Sequence, residues 1–290
     1  MTDAAAPTPE GAPAVTPPAP IIAATKPPAV GLARVLPGAV AFNEGNINDT
    51  YRALIELADG TTIGAIVKDL EAKELANELF AAVLADALDL PVPKAFLAAV
   101  DPGDLAVTKG PTNSDGDRLV FASADVAVPN VFVRYSADPS SSDALLGALT
   151  AWPNLGRLYG FDSWIANVDR HAGNLLFGSG GEAWLIDHGW SFTGPNWTLA
   201  ELDAKADHRH RLSEWLTDRL TTGGKEMRAK QAAGLECDLP GLDLLDAMNA
   251  SMAGALLSTI DGAAVIKFLR DRIGQVAFYS NKALKVPTIV

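Results

Sequence analysis

The spacing of apolar residues changes after about residue 124, from the period of strands to the period of helices. Before this point four segments have the composition of strands, namely residues 51–58, 61–67, 95–100 and 118–124. Asp59-Gly60, between the first two, is a strong signal for a hairpin turn. Glu71 to Leu88 has apolar residues at helical spacing without an internal glycine or proline, which predicts a helix. The order strand, strand, helix, strand, strand predicts a small α+β unit.

The rest of the chain is predicted to be mainly helical. A helical pattern runs from Asp143 to Ala166 with an interruption at Pro153, and further helical patterns occur near residues 199–221, 225–235, 241–257 and 263–285. Residues 174–178 and 183–187 are short apolar runs around a Ser-Gly-Gly turn and predict a hairpin. We therefore expect an α+β fold in which a β-rich unit with one helix precedes a mainly helical unit.

Residues 1–31 differ in composition from the rest, because proline and alanine make up more than half of them. Proline removes backbone donors and alanine offers little area to bury, so a packed core is not expected here. We predict a disordered tail over residues 1–31 and one folded region over residues 32–290.

Charge and cysteine content narrow the choice of partners. The chain has 35 acidic and 23 basic residues, a formal net charge of −12, which disfavours binding to nucleic acids or anionic membranes. A single cysteine, Cys237, excludes an intramolecular disulfide and a thiolate zinc site. The sequence shows neither a signal peptide nor a membrane span, and together these features favour a cytoplasmic protein.

The segment from Phe161 to Phe192 carries the clearest chemical pattern. Asp169 is followed by Asn174 and then by Asp187, with short apolar runs that are expected to hold these polar groups at one end of a rigid hairpin. Mg²⁺ prefers hard oxygen ligands, so Asn174 and Asp187 are expected to supply an amide and a carboxylate oxygen. Asp169 is then free to orient or accept the proton of an attacking hydroxyl. Phosphoryl transfer from ATP requires these groups together.

Arg170 and His171 follow Asp169 directly, and one of them is expected to stabilise oxygens of the transferring phosphate. Each polar residue taken alone has an ordinary structural explanation, because Asp and Asn cap turns and histidines often form hydrogen bonds in a core. The joint pattern is improbable by chance in a chain of this length, which favours the catalytic interpretation.

Residues 167–174 (Asn-Val-Asp-Arg-His-Ala-Gly-Asn) and 185–189 (Leu-Ile-Asp-His-Gly) resemble the catalytic and metal-binding loops of HipA-like kinases. This family is related to the phosphatidylinositol 3/4-kinases, and its Asp-Arg-His order differs from the His-Arg-Asp of ordinary protein kinases. The resemblance implies that Asp169 is the catalytic aspartate and Asn174 a metal ligand. It also implies that Asp187 is the counterpart of the Asp in Asp-Phe-Gly, with a histidine in place of the Phe.

A further implication of the resemblance is a two-lobed protein-kinase-like fold, with lobes over about residues 32–124 and 125–290. Lys68, at the end of a predicted strand, looks like the phosphate-binding lysine of the small lobe. Glu78, on the following helix, looks like its partner. Glu74, one helical turn earlier, is the competing candidate for that partner.

The phosphate-covering loop is the weakest part of the resemblance. Residues 42–50 lie in the expected place between two strands but contain one glycine rather than a Gly-x-Gly-x-x-Gly motif. Gly45 and Asn46 are the residues expected to contact the phosphates, with Asn48 as another donor. A plain polar turn is the alternative interpretation.

The resemblance implies an ATP- and Mg²⁺-dependent Ser/Thr protein kinase that transfers the γ-phosphate to a hydroxyl group. A small-molecule kinase of the aminoglycoside or choline type is a close alternative, because those enzymes also place Asp-x4-Asn before an Ile-Asp pair. A pseudokinase binding module and a lipid kinase are further alternatives. The last is metal-dependent phosphoester hydrolysis through Asp169, His171, Asp187 and His188. The sequence does not identify the phosphate acceptor.

Overall fold

A computed structural model of the chain describes residues 27–41, 49–131, 142–178 and 180–287. Most of the predicted tail therefore lies outside the described residues, as do Gly45 and Asn46. The last residues of that predicted tail are described. Val30 is buried there and donates its backbone N–H to the carbonyl of Ala250 at 3.0 Å.

The β-rich part of the chain forms a single sheet. Its strands are β1 (Gly31–Val35), β2 (Val40–Ala41), β3 (Thr50–Leu57), β4 (Thr62–Lys68), β5 (Ala95–Val100) and β6 (Arg118–Ala124). Their order is β1-β5-β6-β4-β3-β2, and β1 also pairs antiparallel with β3. Five strands thereby close into a ring, with β1 and β5 as a parallel pair. The four predicted strands are confirmed, whereas the closure of the sheet through β1 was not predicted.

The inside of this closed sheet is filled by small and β-branched side chains. Val35, Ile55, Val67 and Val120 meet there and are almost completely buried. The predicted helix is confirmed as α1 (Ala72–Ala87), which packs on the outside of β5 and β6. The sheet therefore has its own apolar interior, and α1 faces a second core.

The helical part begins after the connection that follows β6. Its helices are α2 (Ser142–Ala151), α3 (Leu155–Trp164), α4 (Leu212–Trp215), α5 (Thr222–Asp238), α6 (Leu244–Ala250), α7 (Ala253–Leu256), α8 (Thr259–Arg272) and α9 (Val276–Ala283). The interruption at Pro153 is confirmed, since it separates α2 from α3. The predicted hairpin is confirmed as β7 (Leu175–Phe177) and β8 (Ala183–Leu185).

The helix predicted near residues 199–221 is wrong over its first half. Residues 199–211 form turns, because other partners bind their backbone groups. The carbonyls of Ala204 and Ala206 accept hydrogen bonds from Arg272 Nη1 at 2.9 and 3.0 Å. The N–H of Lys205 donates to Asp203 Oδ1 at 2.9 Å. Tertiary hydrogen bonding therefore overrides the local helix propensity of this segment.

A second apolar core joins α1 to the helical part and positions the polar groups described below. Leu79 and Phe80 of α1 share this core with Leu158 and Phe161 of α3, and the Phe80 and Phe192 ring centroids are 5.7 Å apart. The α+β class is confirmed, with a β-rich first part and a helical second part. Within the described residues, the helices are too short or too polar to cross a bilayer.

Candidate active site

A lysine at the end of β4 lies between two carboxylates from distant parts of the chain. Lys68 Nζ donates to Glu78 Oε1 at 2.7 Å and to Asp187 Oδ1 at 3.0 Å. The other oxygen of Glu78 accepts the backbone N–H of His188 at 2.7 Å. Lys68 and Glu78 are largely buried, whereas the side chain of Asp187 is 38% exposed, so a ligand can reach it. The predicted lysine, its predicted partner and Asp187 therefore form one connected group.

Charge coupling controls the protonation of this group. Burial alone would lower the pKa of Lys68, but the carboxylates of Asp187 and Glu78 outweigh burial and raise it above its ordinary value. Burial alone would raise the pKa of Asp187, but the charge and hydrogen bond of Lys68 hold it below its ordinary value. Burial, together with nearby Asp187, raises the pKa of Glu78. Lys68 is therefore a cation and Asp187 an anion at neutral pH.

Glu74, the competing candidate for the lysine's partner, packs against the loop after Asp187. A Cβ on Gly189 would lie only 2.8 Å from Glu74 Cγ, so this close approach requires glycine. Asp187 itself has a φ of 62°, a left-handed conformation that Asp tolerates better than most residues. Glu78 is thus the glutamate that binds Lys68, while Glu74 supports the turn that follows Asp187.

The hairpin β7–β8 brings the two predicted metal ligands to one place. Leu175 pairs with Leu185, and the N–H of Ile186 donates to the carbonyl of Asn174 at 3.2 Å. Asn174 Nδ2 donates to the backbone carbonyl of Asp169 at 2.7 Å, which leaves the amide oxygen for another partner. Asn174 and Asp187 therefore present an amide and a carboxylate oxygen at one end of the hairpin. This donor set fits Mg²⁺.

Arg170 does not have the role that the sequence predicted for it. Its side chain is fully buried and forms an ion pair with Asp162 of α3, which is also fully buried. Its Nη1 donates to the carbonyls of Asn174 and Ile186 at 3.1 and 2.6 Å, and its Nη2 lies 3.1 Å from His188 Nδ1. A guanidinium enclosed in this way does not reach a phosphate. Arg170 is a positioning residue that holds the Asn174 and Asp187 loops together.

His188 occupies the position of the Phe in Asp-Phe-Gly and points into the core. Its Nδ1 faces Arg170, and its Nε2 is buried without a hydrogen-bond partner among the described residues. Burial, followed by the charges of Arg170 and Lys68, lowers the pKa of His188 well below its ordinary value. The imidazole is therefore neutral, and because it is enclosed in the core it does not reach a position from which it could bind a hydrolytic metal centre.

His171 lies beside Asp169 at the edge of the site. Its side chain is 40% exposed, and its Nε2 is 3.7 Å from Asp169 Oδ2, which is too far for a hydrogen bond. Nδ1 accepts the N–H of Gly173 at 2.9 Å, so a neutral ring carries its proton on Nε2. Burial lowers the pKa of His171, although the carboxylate of Asp169 raises it in part. His171 remains available to a phosphate or an acceptor.

One residue of the site, Arg211, was missed by the sequence reasoning. Its Nη1 donates to Asp169 Oδ1 in an ion pair with side chains 28% and 19% exposed. The signal in the sequence is weak, because Arg211 lies in the basic run His-Arg-His-Arg, in a segment predicted as an ordinary helix. Only the fold brings it to the catalytic loop.

A buried asparagine next to Glu78 fixes the segment after Asp187. Asn77 Nδ2 donates to the carbonyls of Gly189, Ser191 and Gly194 at 2.8, 3.3 and 3.1 Å. Its Oδ1 accepts the indole N–H of Trp197 at 3.0 Å. Successive residues of α1 thus bind the turn that follows Asp187 and the chain after it.

The predicted phosphate-covering loop connects two strands that pair with each other. Ala41 of β2 lies opposite Tyr51 of β3, so residues 42–48 link adjacent strands at the edge of the sheet. Lys68, at the end of β4, pairs with Thr50 of β3. The strand that follows residues 42–48 therefore begins beside the lysine.

Comparison with models of protein families identifies a match to the HipA-like kinases over residues 57–234. The match covers more than half of the chain and includes Lys68, Glu78, Asp169, Asn174 and Asp187. A search of curated proteins found no match. The chain belongs to the HipA-like kinase family.

Proposed function

We propose that this protein is an ATP- and Mg²⁺-dependent kinase that phosphorylates Ser or Thr hydroxyls of a protein. The observation that carries the proposal is the position of Lys68, which binds both Glu78 and Asp187. A charged lysine held between a buried glutamate and a partly exposed aspartate is suited to bind nucleotide phosphates beside a metal. Family membership supports kinase activity in general, and the site geometry supports the binding of ATP phosphates and Mg²⁺. The Ser/Thr acceptor rests on the resemblance to HipA-like kinases.

Each residue of the site has a definite task in this proposal. Lys68 binds oxygens of the ATP phosphates, and Glu78 keeps its ammonium group in place. Asn174 and Asp187 would hold Mg²⁺, which neutralises charge on the β- and γ-phosphates when it is bound. Asp169 accepts a hydrogen bond, and then the proton, from the acceptor hydroxyl.

We further infer that the closed sheet with α1 and the helical part act as the two lobes of a kinase. The nucleotide would lie between them, because Lys68 belongs to the sheet while Asp169 and Asn174 belong to the helical part. The loop between β2 and β3 would cover the phosphates. A cytoplasmic location remains our expectation from the single cysteine.

The test measures ATP turnover and self-labelling of the purified chain with γ-labelled ATP and Mg²⁺. Asp187→Ala should lower both signals by about 100-fold or more, because the metal loses its carboxylate ligand. Asp271→Ala, which removes an exposed carboxylate paired with Lys267, is the matched control and should retain activity. Retained activity of Asp187→Ala would refute the assignment.

The acceptor is tested separately by incubating the active enzyme with labelled ATP and lysate from its own source. Label on phosphoserine or phosphothreonine of a protein supports the proposal. Label that appears only on small molecules identifies the aminoglycoside- or choline-type alternative. Failure of Mg-ATP at millimolar concentration to raise the melting temperature would indicate the pseudokinase alternative, since a bound nucleotide stabilises the fold by mass action.

A further inference from the structure

The carboxylate of Asp169 has two oxygens in different surroundings. Oδ1 binds Nη1 of Arg211, whereas Oδ2 lies 3.7 Å from Nε2 of the His171 imidazole, too far for a hydrogen bond. The backbone of Asp169 is fixed independently, because its N–H donates to Asn167 Oδ1 at 2.9 Å and its carbonyl accepts from Asn174. The backbone hydrogen bonds leave the side chain of Asp169 free to rotate, and the contact with Arg211 restricts that rotation.

The backbone of Arg211 is itself held firmly. The residue before it, His210, stacks on Tyr159 with ring centroids 5.2 Å apart, and its Nε2 lies 3.1 Å from the carbonyl of Tyr159. Trp215, at the end of α4, donates its indole N–H to the carbonyl of Arg170 at 3.2 Å. Arg211 is therefore anchored on one side to α3, through His210, and on the other to the loop that carries Asp169, through Trp215.

The other carboxylate near Arg211 is bound by a different arginine, so the ion-pair partner of Arg211 is Asp169. The neighbouring carboxylate, Glu214, is bound in a bidentate manner by Arg209 at 2.6 and 2.7 Å. Nε of Arg211 is 3.9 Å from Glu214, too far for a hydrogen bond, and has no hydrogen-bond partner among the described residues. The close contact of Arg211 is therefore the one to Asp169.

We propose that Arg211 is a positioning residue for phosphoryl transfer, which holds Asp169 so that Oδ2 faces the acceptor hydroxyl. In the step it supports, the acceptor proton passes to Oδ2 while the acceptor oxygen bonds to the γ-phosphorus. The bond from that phosphorus to the β–γ bridging oxygen breaks, and ADP leaves with the electron pair. This inference rests on the proposed kinase function and adds a residue that lies far from the catalytic loop in sequence.

The test compares Arg211→Gln and Arg211→Lys with Arg219→Gln, which changes an exposed arginine that pairs with the exposed carboxylate of Asp143. ADP release from Mg-ATP, with water as acceptor, and self-labelling are measured for each variant. Arg211→Gln should lower kcat by about 10- to 100-fold and change the KM for ATP by less than about threefold, because Asp169 is misplaced while nucleotide contacts remain. Arg211→Lys should recover part of the loss, and Arg219→Gln should match the wild type.

A double-variant cycle with Asp169→Asn separates this role from general damage to the fold. If Arg211 acts through Asp169, Arg211→Gln should change residual turnover by less than about twofold in the Asp169→Asn background. Equal losses in both backgrounds would overturn the inference, as would an unchanged or increased kcat of Arg211→Gln. A wild-type protein without Mg-ATP turnover would overturn the proposed function itself and this inference with it.

Discussion

Replacing Arg170 with methionine should destabilise the protein strongly, because it leaves a carboxylate buried without its cation. Arg170 and Asp162 are both fully buried, and the guanidinium binds the carboxylate through Nε at 3.1 Å and Nη2 at 3.2 Å. Removing one member of a buried ion pair typically costs about 3–5 kcal/mol. The carbonyls of Asn174 and Ile186 also lose a donor, so we expect the upper end of that range.

Urea unfolding followed by tryptophan fluorescence measures this free energy. Arg228→Met is the matched control, because Arg228 is also buried but donates to the carbonyls of Thr150 and Pro153 and to Gln231. Because Arg228→Met leaves no buried carboxylate without its cation, it should lower the free energy of unfolding by about 1–3 kcal/mol. The double variant Asp162→Leu with Arg170→Met should recover part of the stability, because a buried pair exchanged for apolar side chains is often neutral.

Activity of the folded Arg170→Met protein decides between the two roles considered for this arginine. If Arg170 is a positioning residue, Arg170→Met should lower both the free energy of unfolding and the turnover. Asp162→Asn should then lower both as well. The reasoning would be refuted if Arg170→Met lost less than about 1 kcal/mol in free energy of unfolding but most of its kcat, while Asp162→Asn kept the stability and turnover of the wild type. It would mean that Arg170 contacts the phosphate after all.

Three further outcomes are expected. Lys68→Met should lower kcat by about 100-fold in the ADP-release assay, because the ammonium group that faces Glu78 and Asp187 is lost. Asn77→Ala should lower the free energy of unfolding by about 2–4 kcal/mol and speed proteolysis after Asp187, since several buried carbonyls lose their donor. The fold lowers the pKa of His188, so the imidazole takes up a proton in the unfolded chain before it does so in the folded protein as pH falls below about 6.5. The free energy of unfolding should therefore fall by up to about 1.4 kcal/mol per pH unit below that pH. Urea titrations at several pH values should show a smaller slope for His188→Gln.

Local patterns predicted the parts of the site that depend on short stretches of chain. The hairpin turn at Asp59-Gly60 and the uninterrupted helix after Glu71 placed Lys68 and Glu78 on adjacent elements. The resemblance to HipA-like kinases predicted their pairing, and the structure joins them at 2.7 Å. Asn174 and Asp187 flank the two strands of a hairpin, so their proximity also follows from local sequence. In each case few residues separate the partners or a turn signal connects them.

Contacts between distant segments were not predictable in this way. The surroundings of an arginine decide whether it binds a phosphate or forms a buried ion pair within the protein. Asp162, the partner of Arg170, had no distinguishing signal in the sequence of its helix. Arg211 meets Asp169 only because α4 packs on the catalytic loop. The closure of the sheet likewise needs β1 to pair with both β3 and β5, which no local pattern encodes.

The contacts of α1 determine which motions the site allows. Glu78 binds Lys68 and the N–H of His188, and Asn77 binds the carbonyls that follow Gly189. A displacement of α1 would therefore break the contact to the lysine and the contacts to the metal-binding loop at once. Each group of contacts makes the other more costly to lose, so α1, Lys68 and Asp187 should open and close as a unit.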